Sequence, residues 1–306
     1  MKPHRTKAPD PLFFQELWEN LEPADHLTSP KHWNMRADGW IKKLEERPVY
    51  REKELGRVQA TRDFLLGQDL IGPGKKVLDI GCGPGLFATE FAKTAEFVTG
   101  LDLSPRMARH AAAYARAQGQ DNTRFIALDF READLQTLGG ARAYDLVMSS
   151  LTPAISGLAD LYKMMSLSRD SCLHVSFVET RDSLRAKMIR DLYGHVDQKG
   201  GHWDGRVFYS VFNLLFWGGY YPVTSYFTYN KDGAVELDDD LIDRYTSMLS
   251  KELMGVDVSR EAIQEYLEAI NRKKGHLTRQ TSENYGFILW NVNKKRNTTN
   301  YAKELS

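Results

Sequence analysis

The chain has 306 residues, 42% hydrophobic and 27% charged, enough apolar content for one large globular domain or a core domain with additions. Its 41 basic residues balance 41 acidic ones, so net charge supplies no general pull toward nucleic acid or an anionic membrane. Two cysteines, Cys82 and Cys172, cannot build a disulfide framework or a four-thiolate zinc site, and they indicate a reducing, cytoplasmic setting.

In chain order, residues 1–10 read as a loose basic tail. The stretch "LFFQELWENL" is broken by Gln15, Glu16, Glu19 and Asn20, which makes a poor signal peptide. No apolar run approaches the roughly 20 residues of a membrane span. Leu17, Trp18 and Leu21 share a helical face. Ser29-Pro30 predicts a helix start, with a capping hydroxyl and proline in the first turn. Trp33, Ala37, Trp40, Ile41 and Leu44 then recur at helical spacing, and Pro48 breaks the pattern. Leu55, Val58 and Leu65 suggest a third helix.

From residue 76 short apolar runs alternate with helical segments. "KVLDI", "EFVTGLDL", "TRFIALDF", "YDLVMSSL" and "CLHVSFV" read as five strands. Such alternation predicts an α/β, doubly wound, mostly parallel sheet with helices on both faces. "VTSYFTYN" and "NYGFILWNV" complete a seven-stranded count. Two amphipathic helices precede the last strand, one behind Asp238–Asp240 and one capped by Ser259. The aromatic run 207–221 is explained most simply by core packing.

The expected organisation is an N-terminal helical cap (1–70), a cofactor-binding core (71–180), an inserted helical and aromatic segment (181–224), a sheet completion with an inserted helix pair (225–295) and a polar tail (296–306).

The most informative stretch is "VLDIGCGPGLFA", where Gly81, Gly83 and Gly85 follow the first strand. Glycine lets a strand-to-helix turn be tight and lets a ligand lie against the main chain. A dinucleotide fingerprint G-x-G-x-x-G would need its third glycine at 86, which is Leu86. The observed G-x-G-x-G, preceded by Asp79, is similar to the first motif of class I S-adenosylmethionine-dependent methyltransferases. "GLDLSPRMARHA" resembles the second motif and "ALDF" the third. The resemblance covers roughly residues 70–180 and the last strand.

That resemblance implies S-adenosylmethionine as cofactor. It assigns Asp79, Gly81, Cys82, Gly83 and Gly85 to the cofactor loop. Asp102 would meet the ribose and Met107, Asp129 and Phe130 the adenine, with Leu103 and Ser149 completing the cofactor-binding set. A glycine turn that is only a turn, and a nucleotide-type cofactor, stay as alternatives.

The implied reaction is methyl transfer to a small-molecule acceptor by in-line displacement. The alternatives are a protein or RNA methyltransferase, or a binding protein without methyl transfer. "MSSLTPAIS" departs from the pattern that seats planar amides and amines in DNA and glutamine methyltransferases. It offers hydroxyls in place of a base. Ser149, Thr152, His195 and His202 are the catalytic candidates. Trp33, Trp40, Thr152, Trp203, Tyr209 and Tyr220 are the acceptor-side candidates. His174, His195 and His202 lack ligand spacing, so no metal is expected. Neither a nucleic acid nor a membrane partner is expected, and a homodimer stays open.

Overall fold

The computed structural model describes residues 10–20, 29–194, 205–253 and 255–295. His195, His202 and Trp203 lie outside them. Among the described residues, no helix is long and apolar enough to cross a membrane. The chain divides into two compact units, one of residues 1–176, 206–227 and 286–306, the other of 177–205 and 228–285.

The first unit begins with three helices, α1 (Pro11–Glu19), α2 (Pro30–Glu46) and α3 (Pro48–Leu66). Each carries proline in its first turn, where no backbone donor is lost. Ser29 makes no capping hydrogen bond from its side chain, contrary to the expectation; Pro30 alone sets this start.

The strands follow as β1 (Lys76–Ile80), β2 (Phe97–Asp102), β3 (Thr123–Ala127), β4 (Tyr144–Ser150) and β5 (Ser168–Asp182). Between them run α4 (Leu86–Ala92), α5 (Pro105–Ala117) and α6 (Leu158–Leu167). Val77 to Ile80 are all buried, so β1 is covered on both faces, as a parallel α/β sheet requires.

The remaining elements are α7 (Ser183–Tyr193), α8 (Arg206–Trp217), β6 (Val223–Val235), α9 (Asp239–Glu252), α10 (Arg260–Lys274) and β7 (Leu277–Asn291). The strand order is β3-β2-β1-β4-β5-β7-β6. The pairs β1–β2, β1–β4, β2–β3 and β4–β5 are parallel. The order reverses between β1 and β4, the place where an open α/β sheet leaves a crevice at its strand ends.

The sheet is mixed. Val292 N–H donates to the Asp170 carbonyl at 2.8 Å, so the end of β7 lies beside the start of β5 and the two run antiparallel. The first unit's core joins Leu78, Ile80, Val147, Leu161 and Trp290 to Trp18 of α1 and Val211 of α8. Thus the aromatic run is a helix with Ser210, Val211, Leu214 and Leu215 buried, while Phe216 and Trp217 stay exposed.

In the second unit, the outer parts of β5, β6 and β7 accompany α7, α9 and α10. Thr228 Oγ1 donates to Asn284 Oδ1 and Thr281 Oγ1 to the Lys231 carbonyl, so β6 and β7 are antiparallel here. Leu184, Met188, Tyr245, Leu249, Ile263 and Leu267 form this unit's own core. Asp238 and Ser259 cap α9 and α10 through the N–H groups of Leu241 and Ala262.

Candidate active site

Gly81, Gly83 and Gly85 all take positive φ, at +71°, +53° and +82°. Each is required for a different reason. A Cβ at Gly81 would run into the side chain of Thr152. One at Gly85 would approach Ala111 Cβ at 2.7 Å, so the turn packs directly on α5. One at Gly83 would meet nothing within 4 Å. The loop is therefore closed on both flanks and bare at its centre.

The turn is stitched to β2. Cys82 N–H donates to the Leu101 carbonyl at 2.8 Å, and Gly83 N–H to Asp102 Oδ2 at 2.9 Å. Asp102 Oδ1 accepts the Ser104 N–H at 2.8 Å, so each carboxylate oxygen holds one main-chain donor and keeps a lone pair. Burial raises the Asp102 carboxyl above its ordinary range, against these two hydrogen bonds. Ser104 caps α5 through Met107 N–H at 3.1 Å, as its sequence position predicts.

Asp79 is 1% exposed at the centre of this edge. It accepts the Ala88 N–H, while Oδ2 has no hydrogen-bond partner. Burial first, and the charge of Asp102 second, push its carboxyl up to about 7; Arg57 pulls the other way. Cys82 is buried, and the same burial, with Asp79 and Asp102 nearby, drives its thiol well up. That makes it an inert small residue rather than a nucleophile.

Leu128 N–H donates to the Asp102 carbonyl at 2.9 Å, which brings the third motif to the second. Asp129 Oδ1 accepts the Arg131 N–H at 2.9 Å, and Phe130 is buried with the Lys163 ammonium 5.1 Å from its ring centre. Met107 is buried and Leu103 half-buried.

The segment after β4 divides. The Ser149 side chain is fully buried, with Oγ 2.9 Å from His174 Nδ1. Its hydroxyl is committed to the core, so the expectation of a catalytic or cofactor-binding Ser149 side chain does not hold. Leu151 holds φ +51°, a costly angle for a branched residue, and turns the chain so that Thr152 stands against Gly81.

The expected aromatics scatter. Trp33 and Trp40 are half-buried on α2, which packs on α3 and α5. Tyr209 stacks edge-on against Phe14 of α1, 5.4 Å between centres. Tyr220 bridges to Lys295, beyond the end of β7. Antiparallel β7 ends at the amino edge of the parallel strands, opposite the glycine turn, so Tyr220 is no acceptor-side residue. His174 sits in the core between Ser149 and Trp18. Among the described residues, no group of three or more His, Cys, Asp or Glu could hold a metal.

Several residues at this edge have no motif to announce them. Glu19, at the end of α1, accepts the Leu158 N–H at 3.1 Å. On α2, Asn34 Oδ1 accepts the Ser104 hydroxyl at 2.6 Å, and Asp38 pairs with Arg106 at 2.6 Å. On α3, the buried Arg57 donates to Ser150 Oγ at 2.7 Å, pairs with the buried Glu54 and covers the Phe87 ring at 5.1 Å. Thus α2 fastens the turn after β2, and α1 and α3 both fasten the connection after β4. The available signal is the stripe Glu54, Val58, Thr61 and Leu65, in which polar residues share a buried helical face.

Residues 77–166 match the protein family described as "Methyltransferase domain". The chain is 41% identical over 80 residues to the trans-aconitate 2-methyltransferase of Streptomyces avermitilis, a match spanning 25% of this chain and 28% of that one. It is 30% identical over 148 residues to a 23S rRNA (uracil(1939)-C(5))-methyltransferase of Photobacterium angustum, spanning 44% and 66%. The magnesium protoporphyrin IX methyltransferase of Synechocystis, solved with S-adenosylhomocysteine, overlays with a TM-score of 0.48 at 14% identity, over 84% of this chain and 97% of that one. The chain spans less than two thirds of the length of either curated relative. Over residues 77–166 it carries a methyltransferase domain of the class I kind, whose cofactor is S-adenosylmethionine.

Proposed function

We propose that the whole chain transfers the methyl group of S-adenosylmethionine to a small-molecule acceptor. The residues present fit the cofactor on two counts. The unpartnered, buried Asp79 Oδ2 suits the charged amino group of an amino-acid end. The bare backbone at Gly83 suits close approach of a ligand. Asp102 would take the ribose hydroxyls and Asp129 the adenine amino group, with Leu103, Met107 and Phe130 lining the ring. Gly81, Cys82 and Gly85 form the loop that carries these contacts.

When bound, the cofactor supplies a methyl carbon on a cationic sulfur, open to in-line attack by the acceptor. The chain's own contribution is position. Thr152 and Ser150 stand at the turn, one against Gly81 and the other on Arg57. No carboxylate, His or Lys lies between Ser149 and Gly157. Orientation therefore carries the rate, and effective molarities of about 10⁵–10⁸ M make that sufficient for a competent nucleophile.

The small-molecule reading rests on the fastening of α1, α2 and α3 onto the strand-end turns. In this reading α1, α2 and α3 roof the site, and a roof built from the same chain favours a compact acceptor over a folded polymer. An RNA acceptor is the second reading, favoured by the likeness to the 23S rRNA enzyme. The experiment is formation of S-adenosylhomocysteine from S-adenosylmethionine, with cell extract split by a small-pore filter. Turnover with the filtrate is expected. Turnover only with retained, nuclease-sensitive material would replace the first reading with the second.

A further inference from the structure

Arg57 has no place in the motifs that identify the domain. It comes from α3, before the first strand, yet it is only 6% exposed, and its partner Glu54 only 5%. Burying an ion pair rarely adds stability, because desolvation offsets the attraction. A role beyond packing is therefore worth seeking.

Its surroundings give one. Nη1 donates to Ser150 at the end of β4, the strand paired with β1 through Asp79↔Met148 and Ile80↔Ser149. The guanidinium covers the ring of Phe87, the residue before Ala88, whose N–H is the hydrogen bond that Asp79 accepts. Arg57 and Asp79 thus contact adjacent residues, Phe87 and Ala88, in the first turn of α4. The charged or titratable groups acting on Asp79 are Asp102 from β2, the Cys82 thiol from the loop and Arg57 from α3. Arg57 is ion-paired with Glu54, whose carboxylate also has the Lys53 ammonium at 4.0 Å.

We propose that Arg57 is a positioning residue of the cofactor site, supplying from α3 a buried positive charge that favours the anionic form of Asp79 as acceptor for the cofactor's amino group. This rests on the cofactor reading above. Two carboxylates, Asp79 and Asp102, share a dry edge, and like charges there favour the protonated form of one. A protonated Asp79 is no longer a charged acceptor for an ammonium. Arg57 opposes that, and Glu54 fixes the guanidinium in place.

The experiment is calorimetric binding of S-adenosylhomocysteine to the full chain across pH 6 to 9. The wild-type affinity should fall on acidification through about 7, where Asp79 takes its proton. Arg57→Met alone would leave Glu54 buried without its partner, so the variant is Arg57→Met with Glu54→Gln. Its midpoint should rise, by less than the roughly 1–3 units that a lone opposite charge contributes, because Glu54's own charge leaves with it. Arg57→Lys keeps the charge and should keep the wild-type midpoint. Glu54→Gln alone should hold or lower it. An unmoved midpoint in the double variant overturns the proposal, and so does an equal rise in Arg57→Lys. A wild-type chain that binds no S-adenosylhomocysteine at any pH would overturn the cofactor reading along with it.

Discussion

Two buried carboxylates, one in each unit, are treated in opposite ways. Asp182, at the junction of β5 and α7, is saturated. It accepts the N–H groups of Leu184 and Arg185 at 3.0 and 3.1 Å, the Tyr245 hydroxyl at 3.0 Å, and an ion pair from Arg279 at 3.8 Å. The carboxylate in turn raises the Tyr245 phenol beyond what burial alone does. Asp79, at the end of β1, has one main-chain donor and an oxygen with none. A satisfied buried carboxylate rigidifies a scaffold, whereas an under-satisfied one carries a cost in the free protein that a ligand can relieve. On the reading proposed above, the difference separates a structural acid from a binding acid where burial alone does not.

The largest expected effect breaks the structural half. Asp182→Ala strips the cap of α7 and leaves Arg279 and Tyr245 without their acceptor. It should destabilise the second unit by about 3–5 kcal/mol. Hydrogen exchange in α7, α9 and β7 would report it, and the affinity of the folded fraction for S-adenosylhomocysteine should not change. Loss of affinity in that fraction would mean the two acids are not separable in this way.

The binding half has the opposite signature. The Asp79 carboxyl is raised in the folded chain, so its proton stabilises the fold below the ordinary carboxylate range. That stability is lost as pH rises through about 7. Asp79→Asn removes the cost of the charge. It should therefore stabilise the ligand-free protein at pH 8 by up to about 4 kcal/mol, with the gain gone by pH 4. Thermal melts across that range check it; a variant less stable at pH 8 would show that Asp79 is satisfied after all.

His174 sharpens the comparison further. Burial pulls its imidazole down to about 4, so its contribution is intact above the ordinary value and is lost as pH falls toward 4. His174→Gln should remove an acid-side loss of about 3 kcal/mol between pH 6.5 and 4. On acidification the Asp79→Asn melts should therefore converge on wild type, while those of His174→Gln gain on it. Parallel curves would contradict the buried-neutral assignment of His174.

The elements that read most clearly are those whose local signals agree. "KVLDI" is a continuous apolar run and becomes β1 with the expected bounds. Ser104, Asp238 and Ser259 cap the helices they precede. Ser29 has the same Ser-Pro context as Ser104 but makes no such bond, so residue type alone does not decide a cap. The strands β5 and β7 run far past their apolar segments, through "ETRD" and "LTRQTSE". Those outer parts are mostly polar and, apart from Asp182 and Leu277, not buried, so only strand pairing, which is nonlocal, reveals them.

At the site, the glycines and Asp102 are legible because turn geometry and strand ends demand particular residues. Thr152 is legible only in part: its hydroxyl is visible, its contact with Gly81 is not. Glu54 and Arg57 are hidden by their own type. Charged residues on a helix are ordinarily solvated, and only the partners around them explain their burial.

The central claim is that Asp79 keeps an acceptor open for the cofactor. The direct test is calorimetric affinity for S-adenosylhomocysteine at pH 8, in wild type and in Asp79→Asn. Losing a hydrogen bond to a charged group costs about 1.5–3 kcal/mol, so binding should weaken about 10- to 150-fold. The variant should meanwhile melt no lower than wild type. Equal affinities in a folded Asp79→Asn protein would contradict the account.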